Sequence, residues 1–185
     1  MGRPSRLLPV QLVTGLIWHD DKILEKARVL LTRSFGPADF CAPVFAFDAT
    51  DFYAAEMGEG LKRTFIGFRR LIRAEELAAI KLKTNAIEQR LSAGGKRRIN
   101  IDPGYVSAGK LVLATTKNHS HRIHARRGIF EEVALVFNNG SFMPLAHTYP
   151  DFRQETHIAV FNTIRDLYAK HIRTVYGRDA LSRCP

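Results

Sequence analysis

The sequence predicts an α+β fold: a ferredoxin-like strand–helix–strand–strand–helix–strand core with an added antiparallel meander and a C-terminal helix. Three observations carry the prediction. Short β-branched runs alternate with helix-period apolar stripes through residues 11–102. Asn138-Asn139-Gly140 sits between two apolar runs as a tight hairpin turn. Last, Ile158, Phe161, Ile164, Tyr168, Ile172 and Val175 recur at the spacing of one buried helix face.

Taken in order, Gln11–Trp18 reads as a first strand, with Gly15 allowing close approach of backbone. His19-Asp20-Asp21 opens a helix, because aspartate caps free N–H groups at the positive end of the dipole. Ile23, Leu24, Ala27, Leu30 and Leu31 form its stripe, and Gly36-Pro37 ends it. Val44–Phe47 and Thr64–Leu71 read as paired strands. Residues 74–92 are helical, with Lys83-Thr84-Asn85 as a polar break that could divide them into two short helices. Arg98–Asp102 is a strand stopped by Pro103-Gly104. Residues 106–116 are equally compatible with helix and strand. His121–Arg127, Glu131–Phe137 and Ser141–Leu145 follow as antiparallel strands, and Thr148-Tyr149-Pro150-Asp151 begins the last helix.

The 185 residues suit one domain spanning the chain, with 1–9 and 178–185 expected to lie loose. No apolar run approaches the roughly 20 residues that cross a bilayer, so no membrane partner is expected. Two cysteines, Cys41 and Cys184, make no disulfide framework, and the apolar stretch after Arg3 and Arg6 is short for a secretory signal. A cytoplasmic location is therefore the expectation. The net charge of +10 points to an anionic partner, either a small ligand or nucleic acid.

The densest polar chemistry lies between Lys96 and Arg127. Gly104 and Gly109-Lys110 have the spacing of a phosphate-binding loop, but Leu111 stands where such a loop needs a magnesium-binding hydroxyl. His119, His121 and His124 cannot converge from one regular strand, so no metal site is assigned. Asp102, at a strand end, is placed either as a functional acid or as a turn-former. Asp151 has a helix-capping alternative, and Asp48 and Asp51 could add carboxylates. Arg63 to Arg70 interleaves basic residues with Phe65 and Phe68, which fall on opposite faces, so at least one belongs to the core.

Asn100-Ile101-Asp102-Pro103-Gly104-Tyr105, with Lys110–Lys117, Ser120-His121-Arg122 and Thr148–Asp151, resembles a bacterial family of unknown function. It bears only a numbered domain-of-unknown-function label, and the resemblance covers nearly the whole chain. Some members carry loose labels as GTP-binding proteins, so the resemblance implies no established activity or cofactor. Its motifs add Asn100, Tyr105, Tyr149 and Asp151 as ligand-binding candidates. The resulting expectation is a basic pocket for a phosphate- or carboxylate-bearing ligand. Arg98, Lys110, Lys117 and Arg122 would supply charge, with Asp102 and His121 as acid–base groups. The alternative is an RNA- or DNA-binding module with a dispersed basic face. Cofactor and oligomeric state stay open.

Overall fold

Strand β1 (Val10–Trp18) is buried along its whole length, which places it at the centre of a sheet covered on both faces. The computed structural model describes residues 7–48 and 53–181. Helix α1 (Asp21–Phe35) starts where the Asp20 carboxylate accepts from Lys22 N at 2.9 Å, and it ends at Gly36, whose φ of 91° suits only glycine. Next come β2 (Ala38–Cys41), β3 (Phe45–Ala46), the short helix α2 (Ala54–Met57) and β4 (Lys62–Ile72). Helix α3 (Leu77–Leu91) leads into β5 (Ile99–Val106), β6 (Lys110–Thr115), β7 (Ile123–Arg126), β8 (Ile129–Asn138) and β9 (Ser141–Pro144). A 3-10 turn at Pro150–Arg153 precedes α4 (Glu155–Tyr176).

The strand order is β2-β4-β1-β5-β6-β8-β7, with β3 also beside β4 and β9 beside β8, and the pairs are antiparallel. The crossover β1–α1–β2 brackets β4, and the crossover β4–α3–β5 brackets β1. That interleaving is the ferredoxin-like core, and β6 to β9 are the added meander. α1 and α3 cover one sheet face, packing on Leu12, Leu16, Phe68 and Ile101. α4 covers the other, packing on Val13, Phe65, Val106 and Leu111. Phe65 and Phe68 therefore serve one core each. Among the described residues no helix is long and apolar enough to cross a membrane.

Several local boundaries differ from expectation, each for a visible reason. α3 is unbroken: Thr84 Oγ1 bonds the Lys81 carbonyl at 3.0 Å within the helix, so the polar triplet caps nothing. β5 runs through Pro103, which pairs with Thr14. At Ile101, of the same parity, the backbone N–H and C=O are taken by α3 side chains, so these positions turn their backbone groups away from β1. The N–H that proline lacks thus falls outside the β1 ladder. Residues 106–116 form the β5–β6 turn and β6. The strand expected over His121–Arg127 shortens to β7, and Thr148–Asp151 leads into the 3-10 turn Pro150–Arg153 rather than starting α4. Asn139 (φ 49°) and Gly140 (φ 84°) make the expected turn between β8 and β9. β2 was not foreseen, because a short edge strand shows no apolar alternation.

One irregularity of the sheet creates an opening beside β5. β5 pairs with β6 only from Gly104↔Leu113 to Val106↔Leu111, whereas Ile99–Asp102 pair with β1 alone. β6 continues beyond Leu113 against β8. The sheet opens between β5 and β6, and Gly104 is the last tie. A Cβ there would collide with the Val112 carbonyl oxygen and lie 2.7 Å from Leu113 Cδ2.

Candidate functional site

Where β6 departs, the backbone of Ile101 loses its ladder partner, and α3 replaces it. Glu88 Oε1 accepts from Ile101 N at 2.5 Å, and Lys81 Nζ donates to Ile101 O at 3.1 Å. Seven residues apart, Lys81 and Glu88 share a helix face, so one helix supplies both the acceptor and the donor. The opening itself is a cavity of about 380 Å³ that Lys81, Glu88, Asp102, Arg63 and Asp151 line together.

Asp102 is held in its wall from two sides. Its Oδ1 accepts from Lys81 Nζ at 3.1 Å and its Oδ2 from Asn100 Nδ2 at 2.6 Å. Asn100 is itself oriented by Arg97 Nη1 at 2.9 Å, and Arg97 is held by Glu56 Oε2 at 2.6 Å. Burial pushes the Asp102 carboxyl up, but Lys81 and then Arg63 outweigh it, leaving it below the usual carboxylate range. Glu88 goes the other way. Burial raises it to about 7, opposed by Lys81 and by the Ile101 N–H and reinforced by the Asp102 charge. The two carboxyls are driven apart, one fixed as an anion and one titrating near neutrality. Tyr53, also in the wall, is raised by burial and by the Asp102 charge.

Arg63, on β4, is 1% exposed. It lies across β1 because Gly15 has no side chain: a Cβ there would meet Arg63 Nη2 at 2.9 Å. Gly15 faces Asp102 directly across the β1–β5 pair. The close approach that glycine allows at this position is thus to a guanidinium rather than to backbone. The cation rests over Phe65 and Phe152, 4.6 and 5.2 Å from their centroids. Its Nη2 is 3.0 Å from Asp151 Oδ2, and Asp151 is 2% exposed. Yet Arg63 Nε and Asp151 Oδ2 have no aligned hydrogen-bond partner among the described residues. Behind them His157 Nδ1 lies 2.7 Å from Asp151 O and 3.3 Å from its Oδ1.

At the β6–β8 side, Arg122 grips Glu132 with Nε at 2.9 Å and Nη2 at 3.5 Å, and donates to Lys117 O at 3.1 Å. Arg122, Glu132, Lys117 and Tyr149 line the cavity there. His121 stands behind this wall, with Nε2 2.8 Å from Glu132 Oε2 and its ring stacked on His147 at 4.5 Å. Among the described residues no group of three or more His, Cys, Asp or Glu side chains is placed to hold a metal ion.

A family model described as a domain of unknown function, DUF4416, matches residues 8–168. The chain belongs to that family. No curated protein sequence and no solved structure matches it significantly. All the cavity residues named above fall inside the DUF4416 span.

Of the residues singled out from sequence, Asp102, Asn100, Lys117, Arg122, Tyr149 and Asp151 line this one cavity. The others lie elsewhere. Arg98 pairs with Asp20 at 2.7 Å in a neighbouring hollow, Tyr105 packs in the α1–α3 core, and Lys110 is exposed at the far end of β6. His121 touches Glu132 but does not line the cavity. Gly104 to Lys110 is a β-hairpin closed by Ser107 N to Lys110 O at 2.9 Å, with a strand after it. A phosphate loop needs a helix N-terminus there. Asp48 is exposed, while Asp51 and Cys184 lie outside the described residues. Arg63, Lys81, Glu88 and Arg97 had gone unnoticed as site residues. Lys81 and Glu88 carried a usable signal, two opposite charges seven apart on a face with Ala78, Leu77 and Ile80, and Arg63 stood in an otherwise apolar strand.

Proposed function

We propose that the chain binds a small metabolite through a phosphate or carboxylate group in the cavity between β5 and β6. The observation that carries this reading is Arg63. A guanidinium has five N–H donors in a fixed fork, and this one, buried in the cavity wall, has among the described residues one carboxylate contact and an Nε without an aligned partner. Buried donors of a charged group are met by something, and an anionic oxygen in the cavity is the strongest acceptor available to them. The wall carries the cations Arg63, Lys81, Arg97, Lys117 and Arg122 against four carboxylates, of which Glu88 titrates near neutrality. That leaves a positive excess at pH 7. Asp102 faces the ligand as the fixed anion, and His121 acts through Glu132 to orient Arg122.

The dispersed basic face has less support. Lys62, Arg97 and Arg98, basic residues nearer the surface, are committed to Asp21, Glu56 and Asp20. Cys41 is an exposed free thiol, in keeping with a reducing cytoplasm as the working compartment.

A thermal-shift screen of phosphate- and carboxylate-bearing metabolites at low salt tests the proposal. A ligand at about 100 times its Kd stabilises the fold by about 2.7 kcal/mol. At least one such hit is expected, and Arg122→Ala should abolish the shift while its own melting temperature stays within a few degrees. A screen without hits, accompanied by steeply salt-dependent binding to RNA or DNA, would replace this reading with the nucleic-acid one.

A further inference from the structure

An anionic group accounts for the cations of the cavity but not for its acceptors. Asp102, Asp151 and Glu132 line the same space, and each is already committed to one cation: Lys81 at 3.1 Å, Arg63 at 3.0 Å and Arg122 at 2.9 Å. A cationic ligand group would have to displace those partners. A neutral hydroxyl would not, because a carboxylate offers about four acceptor sites. Asp102 uses two of its sites, on Lys81 and Asn100, and its side chain remains 30% exposed. Glu88 uses one oxygen on Ile101 N, and the residue lines the cavity. Among the described residues Asp151 Oδ2 has no aligned donor, although its side chain is 2% exposed. Asn100 is spent on both sides, between Arg97 and Asp102, and so fixes the plane of the Asp102 carboxylate. A volume of about 380 Å³ is at the small end of ligand cavities, which run to about 1,000 Å³. It suits a monosaccharide-sized molecule rather than a dinucleotide.

Building on the anion-binding reading above, we infer that the ligand is a polyhydroxylated anion, a sugar phosphate or sugar acid, whose hydroxyls donate to Asp102 and Glu88. The charged end lies with Arg63 and the Lys117–Arg122 wall. The hydroxylated end lies against β5 and α3, where the missing β5–β6 ladder exposes fixed acceptors.

Calorimetric titration of the full chain tests this with probes matched in head group. Glucose 6-phosphate, ribose 5-phosphate and gluconate carry hydroxyls; ethyl phosphate and butyrate do not; phosphoethanolamine carries an ammonium. At least one hydroxylated probe should bind ten or more times tighter than the hydroxyl-free probe with the same head group. The phosphate and carboxylate arms tell which head is preferred. Asp102→Asn should narrow that ratio at least fivefold, and Glu88→Gln serves the same purpose if Asp102→Asn does not fold. Equal affinity for hydroxylated and hydroxyl-free probes would overturn hydroxyl recognition and leave the anion site standing. Tightest binding of phosphoethanolamine would overturn it in favour of a zwitterion. Failure of all six probes would remove the sugar assignment and, with an empty metabolite screen, the anion site as well.

Discussion

Arg63→Met is expected to destabilise the fold by about 3–5 kcal/mol, the usual cost of leaving one partner of a buried ion pair behind. Asp151 is 2% exposed and its charge is met by Arg63. Methionine fills comparable space over Phe65 and Phe152, so the loss isolates the charge rather than the packing. The double variant Arg63→Met with Asp151→Asn should recover most of the loss, because both charges then leave together. Urea denaturation at pH 7 of the two variants and the parent checks this. A loss below about 1 kcal/mol for Arg63→Met would mean that Asp151 is neutralised some other way, with His157 at 3.3 Å the nearest candidate.

Glu88→Gln is expected to stabilise the protein at pH 8 and to leave it nearly unchanged at pH 4. In the folded chain Glu88 holds its proton up to about 7, against an ordinary value of 4.5. Between those values the folded state binds more protons than the unfolded state. Stability therefore falls as pH rises through this window and is lowest above it. The raised value corresponds to about 3 kcal/mol of penalty at pH 8. Glutamine mimics the protonated acid, keeps an oxygen for Ile101 N and should remove that penalty. Unfolding free energies at both pH values decide it; an equal loss at each would show that Glu88 is needed as an anion throughout.

How far the sequence foretold these features depended on how local their causes are. Asp20, Gly36 and Asn139-Gly140 act within a few residues of themselves, so the first helix and the last hairpin were readable. The alternation of strand and helix periods was readable too, although the expected second strand, Val44–Phe47, corresponds to β3 and the place beside β4 in the core is taken by β2. The opening between β5 and β6 was not, because it depends on where a pairing stops rather than on any residue type. Asp102, Lys117, Arg122 and Asp151 were found as polar residues in recognisable motifs, although nothing in their spacing said that they share a cavity. Arg63 was read as part of a basic and aromatic surface strand. Its burial depends on a glycine 48 positions away, which leaves its guanidinium room to cross β1. Lys81 and Glu88 take their place only from the backbone of Ile101, which no spacing in the sequence announces. His121, an acid–base candidate from its motif, lies against Glu132.

The central claim, that the Arg63 guanidinium receives an anion, is open to direct observation by arginine side-chain NMR. With ionic strength held constant in sodium chloride, the chain is titrated with inorganic phosphate and separately with acetate. A saturable shift of the Arg63 Nε–H resonance, assigned by its loss in Arg63→Lys, is expected, while exposed Arg69 and Arg70 move only slightly. The Gly15→Ala variant, whose added carbon displaces the guanidinium, should lose that response. An Arg63 resonance that stays still at saturating phosphate and acetate, while Arg69 and Arg70 move, would contradict the claim.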